Sequence, residues 1–333
     1  MILNLNKMLF LIILVISTLI TLSANNWLSM WMGLEMNLMS FIPLISKKKN
    51  KKSSQAMMIY FLTQSIGSIT LLFSILMNSI MFMYPSLSND PIIMMTMASI
   101  MIKVGAAPFH LWLPEMMTKL NWPECMLLMT WQKVAPLTIL SNMTLNNWFL
   151  YISVFASTMV GGLAGLNQTS LRKLLAYSSI SHLGWMMMFM TVSTSWYKYL
   201  IIYSLLIIMI CTLMKKNVFF INQLMVSSVS LTEKMTYTIL ILSLGGLPPL
   251  LGFLPKWMVM QSLINSNLYF LMIIMMLLSL LTLFYYLRMM TSLILAYSMT
   301  SKWMTYNSSN KYLLFMALSI NFMLPIFINI KIF

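Results

Sequence analysis

Residues 100–115, IMIKVGAAPFHLWLPE, constrain this chain more than any other stretch. They set Lys103 inside an apolar run long enough to cross a membrane, then punctuate that run with Gly105, Pro108 and Pro114. A cation at bilayer depth costs roughly 2.5 to 3.5 kcal/mol on the lenient insertion scale, so Lys103 is expected to face a protein interior or a wet cavity and to have a function. Gly and Pro interrupt the helical ladder, and the carbonyls they free need water, a polar side chain or an ion. The pattern occurs twice. Gly105, Pro108, Pro114 and Glu115 are spaced as Gly246, Pro249, Pro255 and Lys256 are, about 140 residues further on. Paired Gly/Pro-interrupted apolar segments in two halves of a chain point to a transporter's working site. The plain alternative is two loops between short helices.

With 60% hydrophobic and 8% charged residues among 333, the chain carries too much apolar surface for a water-soluble core. It reads as a polytopic membrane protein. The net charge of +15 would suggest a nucleic-acid partner in a soluble protein, but here the basic residues lie mainly between apolar spans and report topology instead. Cys125 and Cys211 stand far apart, so neither a disulfide framework nor an iron–sulfur cluster is expected within the chain. The glycines form neither a G-x-G-x-x-G fingerprint nor a P-loop. Forty methionines fit a mitochondrial genetic code.

Apolar segments of membrane-spanning length fall near 5–24, 27–46, 56–83, 91–114, 123–141, 147–166, 173–190, 197–214, 236–263 (broken), 267–290 and 312–330. The expected fold is therefore all-α, with about 11 transmembrane helices. With that count, Lys7, the run Lys47–Lys52, Lys119, Arg172, Lys173 and Lys234 share one side, and the other keeps Lys198 and Lys331. The positive side is the cytoplasm of a bacterium or the matrix of a mitochondrion. The KKKNKK run is a topological anchor or, alternatively, a contact for anionic lipid or an acidic partner. Trp27, Trp31, Trp122, Trp148 and Trp196 lie near span ends and read as interfacial belts.

Glu35, Lys103, Lys133, Lys256 and His182 remain at mid-span, with His110 just after the first break. Such groups suit proton movement. Burial disfavours the charged form of each, a nearby opposite charge favours it, and a site that alternates between the two environments takes up and releases a proton. Glu35 with Lys103 is either a coupling pair or a static pair that fixes packing. His182, in the Ser-rich AYSSISHLGW, is either a relay group or a core histidine bonded to a backbone carbonyl. His110 either joins the relay or occupies a freed carbonyl. Glu115 and Glu124 are expected to cap or pair in a basic-side loop, and Asp90 to cap a helix before Pro91. Gly161 and Gly165 form a GxxxG, which reads as close helix packing.

WMGLEMN around Glu35, KVGAAPFHLWLPE around Lys103, TWQKVAP around Lys133, QTSLRKLLAYSSISHLGW around His182 and GGLPPLLGFLPKW around Lys256 are specific in order and spacing. Together they closely resemble the chain 2 family of the proton-pumping NADH:ubiquinone oxidoreductase, respiratory complex I, of animal mitochondria, one of its antiporter-like subunits. The resemblance implies two inverted five-helix repeats, 1–144 and 145–291, each with a broken helix (91–117 and 236–263), followed by a last loop and helix at 292–333. It implies that Glu35 and Lys103 are a coupling ion pair, Lys133 a central relay lysine, Lys256 an exit-side lysine and His182 part of the connecting polar axis. It also implies a translocase subunit of the mitochondrial inner membrane, its N-terminus on the matrix side, with other membrane-arm subunits as partners. No cofactor is expected in this chain, and flavin, iron–sulfur clusters and quinone are expected in partner subunits. The rival readings are a stand-alone cation/proton antiporter of the same fold and an architectural subunit without a proton path of its own.

Overall fold

The computed structural model describes residues 5–46, 51–81, 90–143, 148–214, 231–298 and 311–325. These form helices: α1 (Leu5–Ser23), α2 (Trp27–Ile45), α3 (Lys51–Met81), α4 (Asp90–Val104), α5 (Trp112–Lys119), α6 (Trp122–Met129), α7 (Val134–Asn142), α8 (Trp148–Gly165), α9 (Leu171–Val192), α10 (Trp196–Leu213), α11 (Leu231–Gly245), α12 (Phe253–Asn265), α13 (Tyr269–Ser298) and α14 (Lys311–Asn321). Among the described residues, α1, α2, α3, α8, α10 and α13 contain stretches long and apolar enough to cross a membrane. The serine-rich α9 is less apolar but almost wholly buried. Protein surrounds it, so its polar residues are not presented to lipid. The chain packs as two compact units, Met1–Ser153 and Val154–Phe333. Lys47 to Lys49, Lys331 and the side chain of Asp90 lie outside the described residues, whereas Lys51 and Lys52 are exposed.

In the first unit, α1 packs on α2, α2 and α4 pack on α3, and α7 touches α1, α2 and α4. In the second, α9 meets α10, α12 and α13, while α11 sits among α10, α13 and α14. Both Gly/Pro segments are true helix breaks. α4 stops at Val104, and Gly105 takes φ +78° while the amide of Ala106 reaches back to the Met101 carbonyl. α11 stops at Gly245, and Gly246 takes φ +80° while the amide of Leu247 reaches back to Leu242. This is the glycine C-cap, in which the left-handed residue needs no Cβ and the amide after it satisfies one orphan carbonyl. The match extends along the backbone. α4 and α11 end at 104 and 245, and the chain becomes helical again at 112 and 253, each pair 141 residues apart. Pro114 and Pro255 then occupy the first turn of the resumed helices, where a missing N–H costs nothing.

A third interruption departs from the sequence expectation of a continuous span over 123–141. α6 ends at Met129, and a 3₁₀ turn at Trp131–Lys133 joins it to α7. Pro136 explains the break: it has no N–H for the Gln132 carbonyl, and its ring opposes a continuous α-helix through that residue. Lys133 is therefore placed at an interruption, as Lys103 and Lys256 are. Two further expectations change. Arg172 and Lys234 are buried beside the first turns of α9 and α11, as is Glu233, so they are not solvated loop charges. Trp148 is exposed, as an interfacial residue is, but Trp122 and Trp196 are buried, and Trp31 donates its indole N–H to the Ser68 carbonyl at 3.2 Å.

Glycine lets α8 approach its neighbours closely in the second unit. A Cβ on Gly161 would lie 2.6 Å from the Ser181 amide nitrogen and 2.7 Å from its Cβ, and one on Gly165 would lie 2.8 Å from the Tyr285 ring. The GxxxG of α8 thus brings its backbone against α9 and leaves a slot for Tyr285. Gly162, on another face, would place a Cβ no closer than 3.4 Å to any neighbour. Gly161→Ala is expected to lower the thermal stability of the detergent-extracted protein by about 1 to 3 kcal/mol, the usual cost of overpacking. Gly162→Ala is expected to leave the melting transition unchanged. Equal melting of the two variants would refute the close α8–α9 packing.

Candidate functional site

In the first unit the site is built around the ends of broken helices. Lys103 occupies the last turn of α4 and is buried. Its stem passes Gly67 of α3, where an added Cβ would come within 3.0 Å of Lys103 Cγ. The carbonyls released by the break have partners: Trp112 Nε1 donates to Ile102 at 3.2 Å and Gln64 Nε2 donates to Lys103 at 3.2 Å. His110, half-buried, places Nδ1 3.2 Å from the Pro108 carbonyl, which is the freed-carbonyl role weighed from sequence. Glu124 accepts from the Asn121 amide at 3.0 Å and so caps α6, while Glu115 is exposed in the first turn of α5, where its charge suits the helix dipole.

Lys103 and Lys133 line the same small cavity. Its volume is about 20 Å³, roughly the room one water needs. Asn37, Tyr60, Gln64 and Gln132 supply polar groups to its wall. Tyr60 donates to Gln132 Oε1 at 3.3 Å, whereas Gln132 Nε2 and Asn37 Oδ1 are buried without a protein hydrogen-bond partner. Buried polar atoms are normally satisfied, so this cavity is the place in the unit where a small polar molecule gains most. Glu35 is half-buried on α2 and interacts with Lys103 electrostatically, through space and without a direct salt bridge. The expected contact between the two is therefore an electrostatic one and not a direct ion pair.

In the second unit Lys256 lies after the break, on α12, and reaches back across it. Its Nζ donates to the Gly245 carbonyl at 2.8 Å, closing the open end of α11 with a charge-assisted bond. Gly246 leaves the path clear, since a Cβ there would meet Lys256 Cδ at 3.0 Å and Nζ at 3.1 Å. His182 is buried in the middle of α9. Its Nδ1 lies 2.8 Å from the Tyr199 hydroxyl. Tyr199 and Tyr203 of α10, with Tyr285 and Tyr286 of α13, complete a buried cluster that the search for charges in the sequence passes over. Its sequence signal is the pair of tyrosines four residues apart on α10 and the adjacent pair on α13, all in otherwise aliphatic spans.

Among the described residues no three of His, Cys, Asp and Glu gather as metal ligands would. Cys125 and Cys211 are both buried and not joined in a disulfide. The chemistry on offer is proton exchange between amines, an imidazole and hydroxyls.

The family model for the membrane part of NADH:quinone oxidoreductase and Mrp antiporters matches residues 24–282. Proteins named NADH-ubiquinone oxidoreductase chain 2 from Locusta migratoria and Anopheles gambiae are 45% and 44% identical to this chain, over 92% and 94% of it and 91% and 93% of their own lengths. Among solved structures, one chain of respiratory complex I from Thermus thermophilus with bound aureothin aligns with a TM-score of 0.79 at 20% identity, covering 95% of this chain and 76% of that one. A chain of the membrane-bound sulfane sulfur reductase, an archaeal respiratory membrane complex, aligns with a TM-score of 0.82 at 13% identity, over 96% and 72% of the two chains. At such identities these structures speak for the fold alone. With the family model spanning most of its length and close relatives along nearly all of it, the chain belongs to the NADH:quinone oxidoreductase/Mrp antiporter membrane family, on the branch of the chain 2 proteins.

Proposed function

We propose that this chain is a core membrane-arm subunit of mitochondrial complex I that carries protons across the inner membrane, coupled to electron transfer from NADH to ubiquinone in other subunits. The observation that carries the reading is the first unit's cavity, where two buried lysines at helix interruptions, Lys103 and Lys133, share a polar wall. The two lysines share with Asn37, Gln64 and Gln132 a space of about the size one water needs, which is room for a proton carrier. The chain is a translocase subunit without a redox centre of its own; flavin, iron–sulfur clusters and quinone belong to its partners.

Protons move along Glu35, Lys103, Lys133, His182 and Lys256, with Glu35 as the long-range coupling charge and Lys256 on the exit side. Eleven helices cross the membrane as two inverted five-helix repeats, 1–144 and 145–291, followed by a last helix within 292–333, and the N-terminus lies in the matrix. The equal offset of α4 from α11 and the twin glycine caps support the repeat. The exposed Lys51 and Lys52 support a contact with anionic lipid at the KKKNKK run.

Lys133→Met tests the path. The expected outcome is an assembled complex in which fewer protons are pumped per NADH oxidised, or in which turnover falls about tenfold, the equivalent of roughly 1.4 kcal/mol in the barrier. Normal assembly with unchanged stoichiometry and turnover would leave only the architectural role. Glu35→Gln tests the coupling charge. It removes an interaction of about 1 kcal/mol across a high effective dielectric, so NADH:ubiquinone turnover is expected to slow roughly fivefold. Unaltered turnover in the assembled variant would make the pair decorative.

A further inference from the structure

His182 is buried in the middle of α9, and Tyr199 of α10 is fully buried beside it. The Tyr199 hydroxyl lies 2.8 Å from His182 Nδ1. Tyr203, one helical turn further along α10, sets its ring 5.0 Å from the imidazole at an interplanar angle of 42°. Two side chains of α10 thus hold one ring of α9. Phenylalanine at 199 would fill nearly the same volume without carrying a hydroxyl into the core, so what tyrosine adds is the bond to Nδ1.

The direction of that bond follows from the protons available. A phenol has one proton to donate, and a buried donor without an acceptor costs free energy. Among the described residues, His182 is the one hydrogen-bond partner of the Tyr199 hydroxyl. The hydroxyl therefore donates, and Nδ1 accepts with its lone pair. The bond made by one ring nitrogen sets which nitrogen carries the proton, so the imidazole proton sits on Nε2. With a proton on Nδ1, in the other neutral tautomer or in the imidazolium, the ring would have to donate to the Tyr199 oxygen. The phenol proton would then turn away from its acceptor.

Resting on the proton-carrying reading above, we infer that Tyr199 is a positioning residue that holds His182 as a neutral imidazole with its proton on Nε2, so that His182 serves the path as a fixed hydrogen-bond donor. The ring orients a passing carrier and does not take the proton itself. No bond to hydrogen forms or breaks at the imidazole, and its tautomer and charge are the same before and after a proton passes. This sets His182 apart from Lys103, Lys133 and Lys256, to which the same reading gives the exchange of protons.

The test compares His182→Gln with His182→Leu in the intact complex. Glutamine keeps an N–H donor at the reach of Nε2 and has no group that takes a proton, whereas leucine has neither. NADH:ubiquinone turnover and coupled pumping are expected within about twofold of wild type for His182→Gln and about tenfold below it for His182→Leu. Equal impairment of the two would make His182 a proton carrier and overturn the inference. Wild-type behaviour of His182→Leu would overturn it as well, since the path would not use the ring. Tyr199→Phe, which removes one oxygen and keeps the ring, tests the positioning. It is expected to slow turnover about threefold beside His182 and not at all in the His182→Gln background, where there is no tautomer to hold. An equal loss in both backgrounds is what packing alone gives and overturns the role of Tyr199. The infrared difference between wild type and whichever variant assembles, with ring-labelled histidine, reads the tautomer directly. The band of neutral Nε2–H imidazole is expected in wild type. A band of the Nδ1–H tautomer or of imidazolium, or no histidine band in the Tyr199→Phe difference, overturns the inference. Lys133→Met separates the two levels. Impaired pumping there with equal loss in His182→Gln and His182→Leu sinks this inference alone, whereas wild-type pumping in Lys133→Met sinks the reading on which it rests.

Discussion

A helix broken inside hydrocarbon leaves carbonyls that lipid cannot satisfy, and the arrangement of this chain follows from how those carbonyls are answered. At the first break the answers are neutral: the indole of Trp112 and the amide of Gln64 take the Ile102 and Lys103 carbonyls. The Lys103 ammonium is thereby left for the cavity it shares with Lys133. At the second break the answer is the cation, since Lys256 donates to Gly245. One backbone device thus serves two kinds of lysine, one lining a cavity and one closing a helix end. The difference comes from position. Lys103 precedes its glycine by two residues, whereas Lys256 follows its glycine by ten and must fold back to reach the break.

That distinction bears on the proton path proposed above. A lysine that lines a cavity can meet a mobile carrier directly, so Lys103 and Lys133 need only the small polar space that Asn37, Gln64 and Gln132 help to wall. Lys256 gives one donor to the Gly245 carbonyl and keeps its other donors. His182 stands apart from both arrangements. It is a neutral-capable ring held by a phenol, with Tyr199 and Tyr203 of α10 beside it.

The sequence carried much of this in its punctuation. Gly105, Pro108, Gly246 and Pro249 mark both breaks to the residue, because a positive φ and a missing N–H are written in residue type. The burial of Lys103, Lys133, Lys256 and His182 was equally legible, since so few charges occur in the apolar runs. Pairing was not. Nothing in residue spacing tells whether Glu35 touches Lys103 or acts from a distance, or that Lys256 would find Gly245. The turn before Lys133 was missed although Pro136 announces it, because the apolar run around it is long enough for one span. The tyrosines were missed because tyrosine is counted with the hydrophobic residues, and only packing shows that all four are buried on helices that pack on α9.

Glycine ties these levels together. Gly246 meets two demands at once: a left-handed backbone at the end of α11, and open space over which the Lys256 side chain runs back to Gly245. Gly105 meets the first demand in the same way, but its open space is filled by Trp112 and Leu113 of the returning helix, 3.1 Å from where a Cβ would stand. The same cap therefore admits an indole in one unit and an ammonium in the other. The residue at the cap fixes the shape of the break. Its chemistry is set by the residue that returns over it, which is why two segments so alike in Gly and Pro differ in what they do with charge.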